Sequence, residues 1–196
     1  MEKRHLVVFD FDGTLTRKDS LLEFIKFVFG WPKLIVGLSK YLPIIIATKL
    51  RVYDNGKAKE KIFSHFFEGM HYPEFCRYGE DFANKIEGML NQRGMELLES
   101  YKRRGFSIFV ISASIEEWIK PWCNKHQINH VIGTRVEIFP NGFLTGKFSS
   151  ANCYGAEKLR RFLEVEPKRH EYILHAYGNS RGDKELIDFA EIGIII

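Results

Sequence analysis

The sequence predicts an α/β fold in which a parallel sheet carries helices on both faces, with a helical cap and a β-hairpin inserted into it. Three observations lead there. The β-favouring apolar run Leu6 to Phe9 breaks at Asp10 into Asp-Phe-Asp-Gly-Thr, as a buried strand does when it runs into a loop. From about residue 91 onward strand and helix signals alternate, the pattern of parallel βα units. Between about 17 and 90 the apolar residues recur with helical period, so 17–90 forms a helical cap between core segments 1–16 and 91–196.

The elements follow in order. Ser20 and Glu23 have capping-box spacing and start a helix running to about Gly30, apolar almost all round and therefore in need of cover. Trp31 to Leu50, Gly56 to Met70 and Pro73 to Leu90 supply that cover as further helices. Trp31 to Leu50 is the ambiguous stretch: Lys40 and Pro43 interrupt it, short of the roughly 20 unbroken apolar residues of a membrane span. A helix pair in the cap core is the first expectation. Peripheral membrane contact through residues 31–50, anchored by Trp31, Tyr41 and the flanking lysines, competes with it. A helix from Met95 to Arg104 then leads through Gly105 into a strand from Phe106 to Ile111. Residues 115–126 are helical with Pro121 inside. Val131 to Phe148 is expected as a strand pair turned at Pro140-Asn141-Gly142. A helix from Gly155 to Leu163, a strand from Tyr172 to Ala176 and a helix from Lys184 to Ala190 complete the alternation, and the ending Gly-Ile-Ile-Ile opens one more strand.

Composition narrows the function classes. A chain of 196 residues can bury one good core and a small module, and 45% hydrophobic with 28% charged residues describes a globular protein. Lys3 and Arg4 precede only four apolar residues, unlike a signal peptide. Cys76, Cys123 and Cys153 lack paired spacing, which suits reduced thiols and a cytoplasmic address, with membrane association as the variant. Cys123, His126 and His130 have ligand-like spacing, but zinc needs a fourth ligand and none is adjacent. A net charge of +4, dispersed and without a recognition motif, excludes nucleic acid as partner. Between residues 33 and 61, Lys33, Lys40, Lys49, Arg51, Lys57, Lys59 and Lys61 face only Asp54 and Glu60. That excess suits an anionic substrate or membrane surface, although a solvated helix face is the more ordinary explanation.

Asp10 and Asp12 stand just past the carboxyl end of the first strand, where ligands of open parallel sheets bind. Phe9-Asp10-Phe11-Asp12-Gly13-Thr14-Leu15-Thr16 resembles the first motif of the haloacid dehalogenase-like (HAD) hydrolases. Val110 to Ser114, Cys153 to Lys158 and Tyr177 to Asp183 match the other three motifs in the family's order. The local patterns look like the phosphoserine-phosphatase branch, which has a helical cap after the first motif. The resemblance implies a Rossmann-like HAD core, a magnesium-dependent phosphomonoester hydrolase, and an aspartyl-phosphate intermediate. Asp10 would be the nucleophile, and Asp12 would protonate the leaving alkoxide and deprotonate water. Ser112, Ala113 and Lys158 would bind the phosphoryl group, while Asp10, Asp12, Asn179 and Asp183 would hold Mg2+. Asp19 has the spacing of a cap acid that contacts substrate, and starting a helix is its competing role.

This sequence departs from the family at Asn179, where an aspartate is common; the site loses a formal charge and should bind magnesium more weakly. The alternative function is therefore a weakly active or non-catalytic phosphate-binding or regulatory protein. The substrate is expected to be a small phosphometabolite or a lipid phosphate, the latter because residues 31–50 and Cys153 to Lys158 look similar to the phosphatidylglycerophosphatase C type. Arg181-Gly182-Asp183 spells an adhesion tripeptide, discounted because the fourth motif already explains Asp183. Oligomeric state is not specified by the sequence.

Overall fold

The computed structural model describes residues 3–196. Strands β1 (Arg4–Phe9), β2 (Ser107–Ile115), β3 (His130–Thr134), β6 (Tyr172–Gly178) and β7 (Ile192–Ile195) form one parallel sheet in the order β3-β2-β1-β6-β7. Strands β4 (Val136–Ile138) and β5 (Leu144–Phe148) form a separate antiparallel hairpin. The helices are α1 (Ser20–Lys40), α2 (Leu42–Lys49), α3 (Asn55–Phe67), α4 (Tyr72–Ile86), α5 (Gln92–Arg103), α6 (Glu116–Lys125), α7 (Ala156–Val165) and α8 (Lys184–Phe189).

β1 takes the centre because Leu6, Val7, Val8 and Phe9 are apolar on both faces, and each is fully buried. Strand alternation sorts them. Val7 and Phe9 join Ile108, Val110, Trp118 and the cap residues in one cluster; Leu6 and Val8 join Phe109, Ile111, Phe162, Leu174 and Leu186 in another. Helices on both faces and the parallel Rossmann-like sheet therefore agree with the sequence, and β7 is the strand expected from the last residues.

Helices α1 to α4 have no core apart from the sheet's. Phe24 of α1 stacks on Trp118 of α6 with ring centroids 4.5 Å apart, and also packs against Phe67, Phe75 and Phe82. One apolar cluster thus runs from Phe9 on the sheet to Phe63 in α3. The hairpin clasps the same helices: the Phe148 N–H donates to Glu60 at 2.9 Å, and the Phe148 ring lies 5.2 Å from Phe63.

Several local expectations are corrected. The N-cap of α1 is Asp19, whose Oδ1 accepts from the Leu22 N–H at 3.0 Å, and Ser20 is the first helical residue. The Ser20 hydroxyl is drawn instead into a buried polar cluster by Trp118 and Ser114. Helix α1 breaks where the sequence ends it, at Gly30, whose φ of 81° only glycine adopts readily; Pro32 then falls in the first turn of the second segment. β2 continues past Ile111 to Ile115 with a register shift, so Ser112 lies inside the strand and not at its end. Residues 131–134 do not belong to the hairpin. They pair with β2 as β3, because Val131 and Ile132 extend the buried sheet, and only 136–148 folds back, around Asn141 and Gly142.

Pro121 does not end α6. Its missing N–H leaves the Glu117 carbonyl without a helical donor, and Gly79 of α4 approaches that carbonyl so closely that a Cβ would stand 2.3 Å away. The discounted zinc trio is dispersed: Cys123 is buried among apolar groups, His126 pairs with Glu87, and His130 stacks on Phe109.

Because Phe24 is fully buried where α1 meets α3, α4 and α6, Phe24→Ala should lower stability by about 3–5 kcal/mol, read as a shifted urea midpoint. A loss below about 1 kcal/mol would mean that the cap and sheet are not packed as one core.

Candidate active site

The site begins where β1 stops. The Asp10 N–H donates to the Tyr177 carbonyl at 2.9 Å, which ties the loop to the end of β6. The N–H groups of Thr14, Leu15 and Thr16 all turn back to the Phe11 carbonyl, winding residues 11–16 into a tight loop. Gly13 is required there: its φ is 84°, and a Cβ would lie 1.7 Å from the Asn179 amide nitrogen. Asn179 therefore packs directly on the loop that carries the two aspartates.

Lys158 of α7 crosses beneath. Its ammonium lies 2.6 Å from Asp10 Oδ1 and 2.5 Å from Asp183 Oδ1, with all three side chains buried. The second Asp183 oxygen accepts from the N–H groups of Asn179 and Ser180 and from the Ser180 hydroxyl, at 3.0–3.1 Å. Asp12 is held from the other side. Its carboxylate accepts from the Ser20 N–H at 3.1 Å, the Ser20 hydroxyl at 3.0 Å and the Ser114 hydroxyl at 2.5 Å. Ser112 is buried and accepts from the Ser114 N–H at 3.1 Å, and the Ala113 carbonyl accepts from Thr134 at 2.6 Å.

These groups share one cleft of about 750 Å³. Asp10, Asp12, Ser112, Ala113, Lys158 and Asn179 line it, whereas Asp183 lies behind Lys158. Asp19, exposed and capping α1, stands at the rim, so its capping role is real and its side chain still faces the cleft. The far wall is apolar: Leu21, Leu22, Leu38, Ile45, Ala58 and Ile62.

The electrostatics are unequal. Burial pushes the Asp10 carboxyl up; Lys158 opposes that and Asp183 reinforces it. Burial also works against charge on Lys158, but Asp10 and Asp183 more than offset it, so its pKa rises and the ammonium is kept. Asp12 is pushed up to about 7 by burial and by the nearby Asp19 charge, against the hydrogen bond from Ser114. It can therefore exist protonated or ionised near neutrality, as a group that both gives and takes a proton requires.

Three residues at the site are not among the site residues expected from the sequence. Ser114 and Ser20 position Asp12, and Lys59 of α3 sends its ammonium to the Ala113 carbonyl at the edge of the cleft. Ser114 follows Ser112 by two residues, a spacing that puts both on one face of a strand and could have marked it. Lys59 is one of seven cations in its stretch, and only the fold singles it out.

The raised pKa of Asp12 has a consequence for stability. Unfolded, the group ionises near 3.9; folded, near 7, so wild-type protein loses stability as pH rises between those values and keeps the full penalty above 7. In metal-free buffer, Asp12→Asn should melt higher than wild type at pH 8, and the gap should close toward pH 4. A gap independent of pH would show that Asp12 is not destabilised by its charge.

The chain has both sequence relatives and fold neighbours. Over 189 residues the chain is 29% identical to protein CicA of Caulobacter vibrioides, covering 95% of this chain and 83% of that one. It is 26% identical over 192 residues to a histidinol-phosphatase of Neisseria meningitidis serogroup C, covering 90% and 80%. The fold superposes with a TM-score of 0.81 on a protein of unknown function from Bordetella pertussis Tohama I, at 16% identity and with 96% and 88% coverage. The profile of the haloacid dehalogenase-like hydrolases matches residues 7–188, nearly the whole chain and a range that includes Asp10, Asp12, Ser112, Lys158 and Asp183, and the protein belongs to that family.

Proposed function

We propose that the protein is a magnesium-dependent phosphomonoester hydrolase working through an aspartyl-phosphate on Asp10. The observation that carries this reading is the Lys158 ammonium bridging Asp10 and Asp183 on the floor of a cleft, with Asp12 beside it. Only Asp10 Oδ1 is hydrogen-bonded to Lys158, so Oδ2 is left to attack phosphorus. Lys158, with the Ser112 hydroxyl of the same cleft, stabilises the charge on the phosphoryl oxygens as the ester bond breaks. Asp12 gives its proton to the leaving alkoxide. Ionised, it then takes one from the water that opens the acyl phosphate, restoring Asp10 and releasing phosphate.

Hard oxygen donors suit magnesium. The Asp10 carboxylate, the main-chain carbonyl of Asp12 and the Asn179 amide oxygen would hold it. Both Asp183 oxygens are engaged by Lys158 and by the 179–180 loop, so Asp183 serves the ion mainly by fixing that loop. Magnesium, when bound, neutralises phosphoryl charge that would otherwise repel an incoming carboxylate. Among the described residues no three His, Cys, Asp or Glu groups form a metal site on their own, so the amide at 179 matters to the donor set.

The helices of residues 17–90 act as the cap in this reading, with Asp19 and Lys59 reaching the cleft from that side. The substrate is a small phosphometabolite or a lipid phosphate, and the phosphatase name of the Neisseria relative supports phosphomonoester chemistry. Asn179 favours the second reading, a weakly active phosphate binder, through the charge it removes.

Aryl phosphate hydrolysis in millimolar-scale magnesium should fall by roughly a thousandfold or more in Asp10→Asn. Asn179→Asp should reach half-maximal rate at several-fold lower magnesium. Wild-type protein that binds phosphate but turns over no phosphomonoester would put the binding reading first.

A further inference from the structure

We propose that the outer face of α2 and of the second segment of α1 is a docking surface for an anionic membrane. Helix α2 has the sequence Leu-Pro-Ile-Ile-Ile-Ala-Thr-Lys, yet none of its residues is buried. Trp31, Ile35, Val36, Leu42, Ile46, Leu50 and Val52 are between 49% and 77% exposed, so the apolar surface is continued before and after that helix. An apolar face of this kind, gathered on consecutive elements, marks an interaction site and not scattered surface residues.

The other sides of the same helices are occupied. Leu38 and Ile45 form part of the apolar cleft wall. Gly37 lets α1 settle on Phe66 of α3, where a Cβ would lie 2.2 Å from the ring, and Tyr41 meets the edge of His65. Only the outward face is without a protein partner among the described residues.

Charge chooses the occupant. From Phe24 to Tyr53 there is no Asp or Glu, while Lys26, Lys33, Lys40, Lys49 and Arg51 are present. Among the described residues only Lys26 of these five has a carboxylate partner, Glu23; its ammonium also lies over the Trp31 ring, 4.8 Å from the centroid. A second copy meeting this face would set cations against cations with no acid between them. Anionic headgroups would complement every one, and long basic side chains can reach the headgroup level while the apolar residues enter the acyl boundary. The arrangement is interfacial and not spanning: no helix among the described residues is long and apolar enough to cross a membrane.

The helices that carry this surface also line the cleft, through Leu38, Ile45, Thr48 and Lys49, so docking would bring the cleft close to the headgroup layer. That last step rests on the phosphatase reading; the docking itself does not.

The test is co-sedimentation of the whole protein with vesicles of phosphatidylcholine alone or mixed with phosphatidylglycerol, at low and physiological salt. Binding should require the anionic lipid and weaken with salt. Leu42→Ser with Ile46→Ser should lower the affinity at least about tenfold, as should Lys40→Glu with Arg51→Glu. Melting temperature and aryl phosphate turnover should stay as in wild type, which separates failure of docking from failure of catalysis. Equal sedimentation with both vesicles, or variants that bind as wild type does, would overturn the proposal. So would a wild-type dimer in sedimentation velocity that either double variant dissociates, which would assign the face to a second copy.

Discussion

The Lys158 ammonium, fixed between the carboxylates of Asp10 and Asp183, sets the terms for the rest of the molecule. Removing three charged groups from water is expensive, and their mutual attraction compensates only when geometry is tight and the remaining lone pairs are occupied. The fold meets both conditions. β1 and β6 are neighbours in the sheet, so the loops that leave them lie side by side, and the N-terminal turns of α7 and α8 close over the same point. The second oxygen of Asp183 has three donors of its own. One negative charge is left over, on the side that opens to the cleft.

Asp12 shows the complementary arrangement. It has hydroxyls and an N–H where Asp10 has an ammonium, and a neighbouring acid, Asp19, where Asp10 has Lys158. Two carboxylates separated by one residue are thereby pushed to different uses: Asp10 stays paired with a cation, and Asp12 stays near the midpoint of its titration. The same contacts join the cap to the sheet, since Ser20 begins α1 and Ser114 belongs to β2. Phe24 and Trp118 continue that junction as an apolar stack. At the far end of these helices α2 has no buried residue, whereas Leu34 and Gly37 of α1 are buried against α3 and the core.

Those outer helices differ from the rest of the protein in what surrounds them. Most of the large apolar residues of the other helices and of the central strands enter one of two clusters flanking the sheet. In α2 and the segment before it, Leu34, Gly37 and Tyr41 turn toward α3 and the core and Leu38 and Ile45 toward the cleft, while Trp31, Ile35, Val36, Leu42 and Ile46 stay exposed. Packing within the chain does not cover that outward face.

The sequence by itself determined the sheet, its parallel sense and the convergence of the motifs. Leu6 to Phe9 could only be a buried strand, strand and helix signals alternated after residue 91, and an aspartate just past a central strand falls at the sheet's carboxyl edge whatever the details. It also placed the break at Gly30 and the last strand, because glycine and an apolar run are local signals. Tertiary structure decided what depends on partners far along the chain. Ser20 left its expected capping role because Asp12 and Trp118 are present to bind it, and residues 131–134 joined β2 instead of the nearer hairpin because pairing there buries Ile132 and half-buries Val131. Lys59 was singled out from its basic neighbours only when α3 came to lie over Ala113. Local propensity is written in adjacent residues; hydrogen-bond partners and burial are written in the fold, and those decided the second half of this site.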